Sequence, residues 1–215
     1  MIDTLIVEEL GMSNIETEHP TRIFFIGDEL VAGFGDARAM GWTGRVMART
    51  ACEPPLMHLT LATPGEGTEA LASRWENDIV PRLDRDAENR LVIGLGSHDL
   101  ESSLSLARSR LYVANILDNA MSMGLAPFVV GPPPRNDQPL RNQNDLSQAY
   151  EQACTRRNIP YVDCFTPLYN HEQWATDMSM NASYTPRQAG YGLMAWLVLH
   201  KGWHDWLGIT QPDVM

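Results

Sequence analysis

The chain has 215 residues, 44% hydrophobic and 20% charged, enough for one domain with a sizeable core and with no compositional sign of disorder. Its 27 acids against 16 Lys and Arg give a net charge of −11, a field that repels phosphate backbones and anionic lipid heads, so neither nucleic acid nor a membrane is an expected partner. No window holds the roughly 18 consecutive apolar residues of a spanning helix, so a soluble chain is expected.

The first stretch carries Asp3, Glu8, Glu9, Glu16 and Glu18 and no Lys or Arg, and is read as an acidic N-terminal arm over residues 1–20, ahead of a single domain over 21–215. It lacks the basic start and long apolar run of a secretory signal. The three cysteines, Cys52, Cys154 and Cys164, form no Cys-x-x-Cys pair, and a reduced cytoplasmic setting with structural thiols is expected.

Residues 22–27 read as a first strand, followed by a glycine-rich loop through Gly33, Gly35 and Gly41 and a helix near 41–50. Residues 56–61 predict a second strand. Apolar positions 71, 75, 79, 80 and 83 have helical spacing over 68–83, with Pro81 near the end. The continuous apolar run over 90–96 is a buried strand, 104–123 a long helix, and 126–130 a fourth strand. Gly131-Pro132-Pro133-Pro134 cannot continue that strand, because proline has no amide hydrogen and fixes its own φ; a loop to about Arg141 comes next. Residues 144–157 read as a helix, 159–164 as a fifth strand and 186–201 as a closing helix, in which Trp196, together with Trp203 and Trp206, is expected to pack into the core. Alternating strands and helices with right-handed crossovers predict an α/β fold: a three-layer α/β/α arrangement around a flavodoxin-like five-stranded parallel sheet.

In such sheets ligands gather at the carboxyl ends of the strands. Asp28 and Glu29 leave the first strand there, and Ser97, His98 and Asp99 leave the third, so the two groups are expected to be neighbours.

The end of the first strand and the segment after it, Ile26-Gly27-Asp28-Glu29-Leu30 through Gly35-Asp36 and Gly41-Trp42-Thr43-Gly44-Arg45-Val46, resemble the opening of a bacterial branch of the SGNH or GDSL hydrolases. Ser73-Arg74-Trp75, Val129 to Pro134, Ile159 to Asp163, Gly190-Tyr191, Trp203 and Trp206 extend the resemblance over residues 22 to about 206. The resemblance implies the SGNH fold and, for members with intact catalytic blocks, esterase or lipase chemistry.

Four blocks depart from the family pattern together. Glu29 stands where the resemblance places the nucleophilic Ser. The glycine whose amide serves the oxyanion hole falls on Ala62 if Thr60-Leu61-Ala62 aligns with Asn-Leu-Gly, and the Asn donor becomes His98 in Gly96-Ser97-His98-Asp99. Counting back from Gly190-Tyr191 through Pro186 puts Thr185 at the catalytic His and Ala182 at the Asp; a slipped register would put Tyr184 and Asn181 there instead. None of these supplies a base.

Three readings are open. A noncatalytic SGNH-fold protein would keep the scaffold and bind a small molecule or protein, with Asp28 and Asp99 accepting loop amides and Glu29 pairing with His98. An altered hydrolase would use Glu29 and His98 as an acid–base pair, with Asp28 and Asp99 beside them. The plain reading is a GDSL-type esterase. A weak divalent-metal site at the same four residues is conceivable by donor type, but their spacing is not a metal motif, so no metal or cofactor is assigned. His58, His171, His200 and His204 have no carboxylate at family spacing and are read as surface or core residues.

Overall fold

The structure, a computed structural model, describes residues 19–102, 104–180 and 184–210. The acidic arm lies outside them apart from His19 and Pro20, as do Asn181 and Ala182.

Strand β1 (Thr21–Gly27) leads into a single turn, α1 (Glu29–Ala32), and helix α2 (Gly41–Met47). β2 (Met57–Ala62) precedes α3 (Thr68–Ile79), whose Leu71, Trp75 and Ile79 repeat every four residues on the buried face. Pro81 sits in the tight turn Val80–Arg82 that ends α3. β3 (Glu88–Gly94) runs to a second short turn, α4 (His98–Glu101), and then to α5 (Leu106–Ser122), where the Ser105 side chain accepts the Arg108 amide as a cap. β4 (Ala126–Val130), α6 (Leu140–Thr155) and β5 (Tyr161–Val162) complete the sheet. The chain ends with α7 (Phe165–Leu168), α8 (Glu172–Ser179), α9 (Gln188–Val198) and α10 (His204–Leu207).

All strand pairs are parallel, in the order β2-β1-β3-β4-β5. β1 alternates between two cores. Ile23 and Phe25 face Trp42, Trp174, Met194 and Trp203 under α2, α8 and α9, while Phe24 and Ile26 face Trp75, Ile116 and Tyr150 under α3, α5 and α6. These fully buried side chains contribute about 1.5–3 kcal/mol each by leaving water. Three layers result, with the strand order reversing between β1 and β3, where both carboxyl ends open into one crevice. Gly27 (φ +145°) is required there, because a Cβ would fall 1.8 Å from the Gly94 carbonyl oxygen.

Several boundaries differ from the sequence reading. β5 has two residues rather than six: Pro160 lacks an amide, and Asp163 turns the chain by accepting the Phe165 and Thr166 amides. α6 starts four residues earlier, at Leu140. The closing helix widens into a π-type turn after Val198 and breaks at Lys201 and Gly202 (φ +90°), which redirect the chain into α10. α7 and α8 were not anticipated. Among the described residues no helix is long and apolar enough to cross a membrane.

Candidate functional site

Asp28 ends β1 and caps α1. It is fully buried; one carboxylate oxygen accepts the Leu30 amide at 3.0 Å and the other accepts the Gly96 amide at 2.6 Å, tying the ends of β1 and β3 together. Burial, reinforced by the Glu29 charge, pushes its carboxyl up to about 7 against those two amides.

Glu29, the first residue of α1, points across the crevice to His98, the first residue of α4. Its Oε1 lies 2.8 Å from His98 Nε2, and its Oε2 accepts the Gly65 amide at 2.8 Å. Burial raises the Glu29 carboxyl, but the His98 hydrogen bond and the Gly65 amide more than offset that, and it falls to about 2. The Glu29 hydrogen bond, opposed by burial, raises His98 to about 9, so the pair is a carboxylate and an imidazolium near neutral pH, with Nε2–H donating. His98 Nδ1 is 3.5 Å from Glu101 Oε2, and the other Glu101 oxygen is 2.7 Å from Arg135 Nη1.

The surroundings hold this arrangement in place. Arg74 binds both oxygens of the buried Glu66 at 2.6 Å and donates to the Leu61 carbonyl, anchoring the loop that presents Gly65. That gives a role to the Ser73-Arg74-Trp75 motif. Across the crevice, the Gln143 side chain accepts the Arg135 amide and donates to the Arg135 carbonyl, and Trp174 Nε1 donates to the Pro134 carbonyl. The proline loop after β4 is thereby laid over the pocket, with the Arg135 guanidinium 5.5 Å from the centre of the Tyr184 ring. Asp177 accepts the Arg187 and Gly190 amides and fixes the segment bearing Tyr184 and Pro186, which also line the pocket. Between these walls about 10 Å³ is left, room for about one water molecule.

The sequence-derived positions separate. Asp28, Glu29 and His98 come together, with one donor atom from each within 4.8 Å of the others. Asp99 does not join them: it turns into the core, accepting the Thr68 amide and hydroxyl at 2.7 Å and the Tyr150 hydroxyl at 3.2 Å. Ala62 lies within β2 opposite Gly27, and the amide that reaches Glu29 belongs to Gly65. Thr185 is buried between the pocket-lining Tyr184 and Pro186. The Ser97 hydroxyl is buried beside the pocket without a hydrogen-bond partner among the described residues, so it is not held against an imidazole. Sequence reasoning missed Gly65, Arg135, Glu101 and Asp177; of these only Gly65 left a signal, the Pro64-Gly65 turn directly after a strand. Trp196 was expected inside and is 56% exposed.

Comparison with known proteins agrees with this architecture. The family model of GDSL-like lipases/acylhydrolases matches residues 25–193. The solved lipase/acylhydrolase from Enterococcus faecalis has a TM-score of 0.72 at 17% identity, covering 90% of this chain and all of that one. The psychrotrophic esterase EstA from Pseudoalteromonas sp. gives 0.68 at 16% identity, with 87% and 99% covered. The acetylxylan esterase Axe2 from Geobacillus stearothermophilus gives 0.68 at 17%, with 88% and 97% covered. At these identities the likeness is one of fold. No curated protein sequence matches the chain.

Proposed function

Because the chain belongs to the GDSL-like lipase/acylhydrolase family, we propose that it is a member whose hydrolytic site has been closed by substitution, a noncatalytic SGNH-fold protein with a binding role. One observation carries this reading: the residue in the nucleophile position is a carboxylate already bound by an imidazolium and a backbone amide, in a space of about 10 Å³. Acyl transfer needs a hydroxyl, a base to take its proton and a carboxylate to orient that base. Glu29 has no hydroxyl, and His98 is engaged as a donor and cannot accept a proton until about pH 9. Loss of nucleophile or base in a serine hydrolase costs on the order of 10⁶ in turnover.

The test is hydrolysis of short p-nitrophenyl esters at pH 7–8, where the rate should equal the uncatalysed background. Saturable turnover that disappears in His98→Ala would replace this reading with an altered hydrolase using Glu29 and His98. The Asp28 carboxyl at about 7, beside a carboxylate at about 2, favours that second reading, because two carboxyls so far apart can divide acid and base roles. The same proposal includes a small-molecule or protein ligand rather than nucleic acid or a membrane, and a reduced cytoplasmic setting, supported by Cys154 and Cys164 serving as wholly buried core residues whose thiols burial pushes up.

A further inference from the structure

A second, wider concavity lies away from Glu29. It runs along α2 and α9, measures about 1000 Å³ and shares no lining residue with the Glu29 pocket. That is the upper end of the range for small-molecule sites, roughly 300–1,000 Å³.

Its floor is made of small side chains: Ala48 from the end of α2, and Ala189, Gly192 and Ala195 along α9. A Cβ added at Gly192 would meet nothing within 4 Å, so the groove is open there. One wall is a flat aromatic surface, since the exposed Trp196 ring stacks on His200 with centroids 4.3 Å apart and planes 24° from parallel. Exposing that much indole to water is unfavourable by hydrophobic transfer, and a stacked ligand ring would remove the cost.

The charge lining the groove opposes that of the whole molecule. Three arginines, Arg45, Arg49 and Arg187, face a single carboxylate, Asp177, in a chain of net charge −11. Arg45 is taken up by Asp36 and Asp177 by two amides, which leaves the exposed Arg49 and Arg187 as the cations at the surface of the groove. Guanidinium forks suit planar carboxylates. A further sign of an incomplete site comes from His204, which lines the groove at 6% exposure while neither ring nitrogen has a hydrogen-bond partner among the described residues. A buried imidazole left in that state is uncommon in native proteins.

We propose that the α2–α9 groove is a binding site for an aromatic carboxylate, with its ring on Trp196 and its charge met by Arg49 and Arg187. The site supplies a location and a ligand class for the binding role proposed above, but it does not rest on the Glu29 pocket being inactive. Ester turnover would overturn that reading and leave this one standing.

Titration calorimetry of the full chain with naphthalene-2-carboxylate tests it. Saturable binding is expected, weakened tenfold or more by Arg49→Glu/Arg187→Glu and by Trp196→Ala. All three substitutions fall on exposed side chains, so melting temperatures should stay close to that of the parent and show that the variants are folded. Uncharged 2-naphthamide should bind at least tenfold more weakly, and the His204 ring resonances should shift on saturation with the carboxylate. Lack of saturable binding, equal affinity for the amide, or affinity unchanged in both sets of variants would overturn the proposal.

Discussion

At the carboxyl edge of the sheet each pocket carboxylate has found its partner inside the protein: Asp28 in two amides, Glu29 in His98 and Gly65, Glu101 in Arg135. Along α2 and α9 the opposite holds, with an indole in water, a buried imidazole that finds no hydrogen-bond partner among the described residues, and two guanidiniums at the surface. The first region gains nothing by admitting a ligand, since any newcomer must displace a hydrogen bond that already exists. In the second, a ligand would cover apolar area and complete polar valences that folding left open. The part of the molecule where the resemblance places the catalytic blocks is thus the self-sufficient one, and a surface outside those blocks has the features of a binding site.

The contrast can be broken most sharply at Asp28. Asp28→Ala would leave the buried Leu30 and Gly96 amides without acceptors, and should destabilise the fold by about 2–5 kcal/mol, read as a lowered urea midpoint with unchanged slope. A loss under about 0.5 kcal/mol would mean that the pocket is not held by internal bonds.

A smaller, pH-dependent effect is expected at the ion pair. His98→Gln at pH 6 should cost about 1.5–3 kcal/mol, the range for a hydrogen bond to a charged group. His98 is raised to about 9, so its contribution is complete below its ordinary value near 6.5 and fades as pH rises through 9. Glu29 is lowered to about 2, so its contribution is complete above 4.5 and fades as pH falls through 2. The difference in melting temperature between the parent and His98→Gln should therefore be widest between about pH 4.5 and 6.5 and narrow toward pH 10. A difference that does not change with pH would show that His98 acts by packing alone.

The least effect belongs to the groove. Trp196→Ala should change stability by no more than about 0.5 kcal/mol in thermal unfolding, because its ring is 56% exposed and stacks on His200, which is itself exposed. A cost above 2 kcal/mol would make Trp196 a structural residue and sharpen the distinction in the other direction.

Most of the sheet was legible because its strands are continuous apolar runs buried on both faces, as in Ile23 to Ile26 and Leu91 to Ile93. α8 was not, because a largely polar stretch commits only Trp174, Met178 and the capping Asp177 to the interior. The meeting of Glu29 and His98 could be anticipated from two strand ends on one edge. The inward turn of Asp99 could not, since Thr68 and Tyr150 lie 31 and 51 residues away and only the folded chain makes them its partners. Trp196 was misplaced for a related reason: α9 is apolar nearly all round, so periodicity leaves open which side meets water.

The planar anion at Glu29 is gripped by the Gly65 amide and the His98 ring as a bound carboxylic acid would be. Here that acid is a side chain, covalently tethered to the backbone. A free carboxylic acid entering from solution competes with a tethered copy of itself, whose effective concentration is set by three single bonds rather than by supply. Dilution cannot wash it out, and only removing the side chain would vacate its place.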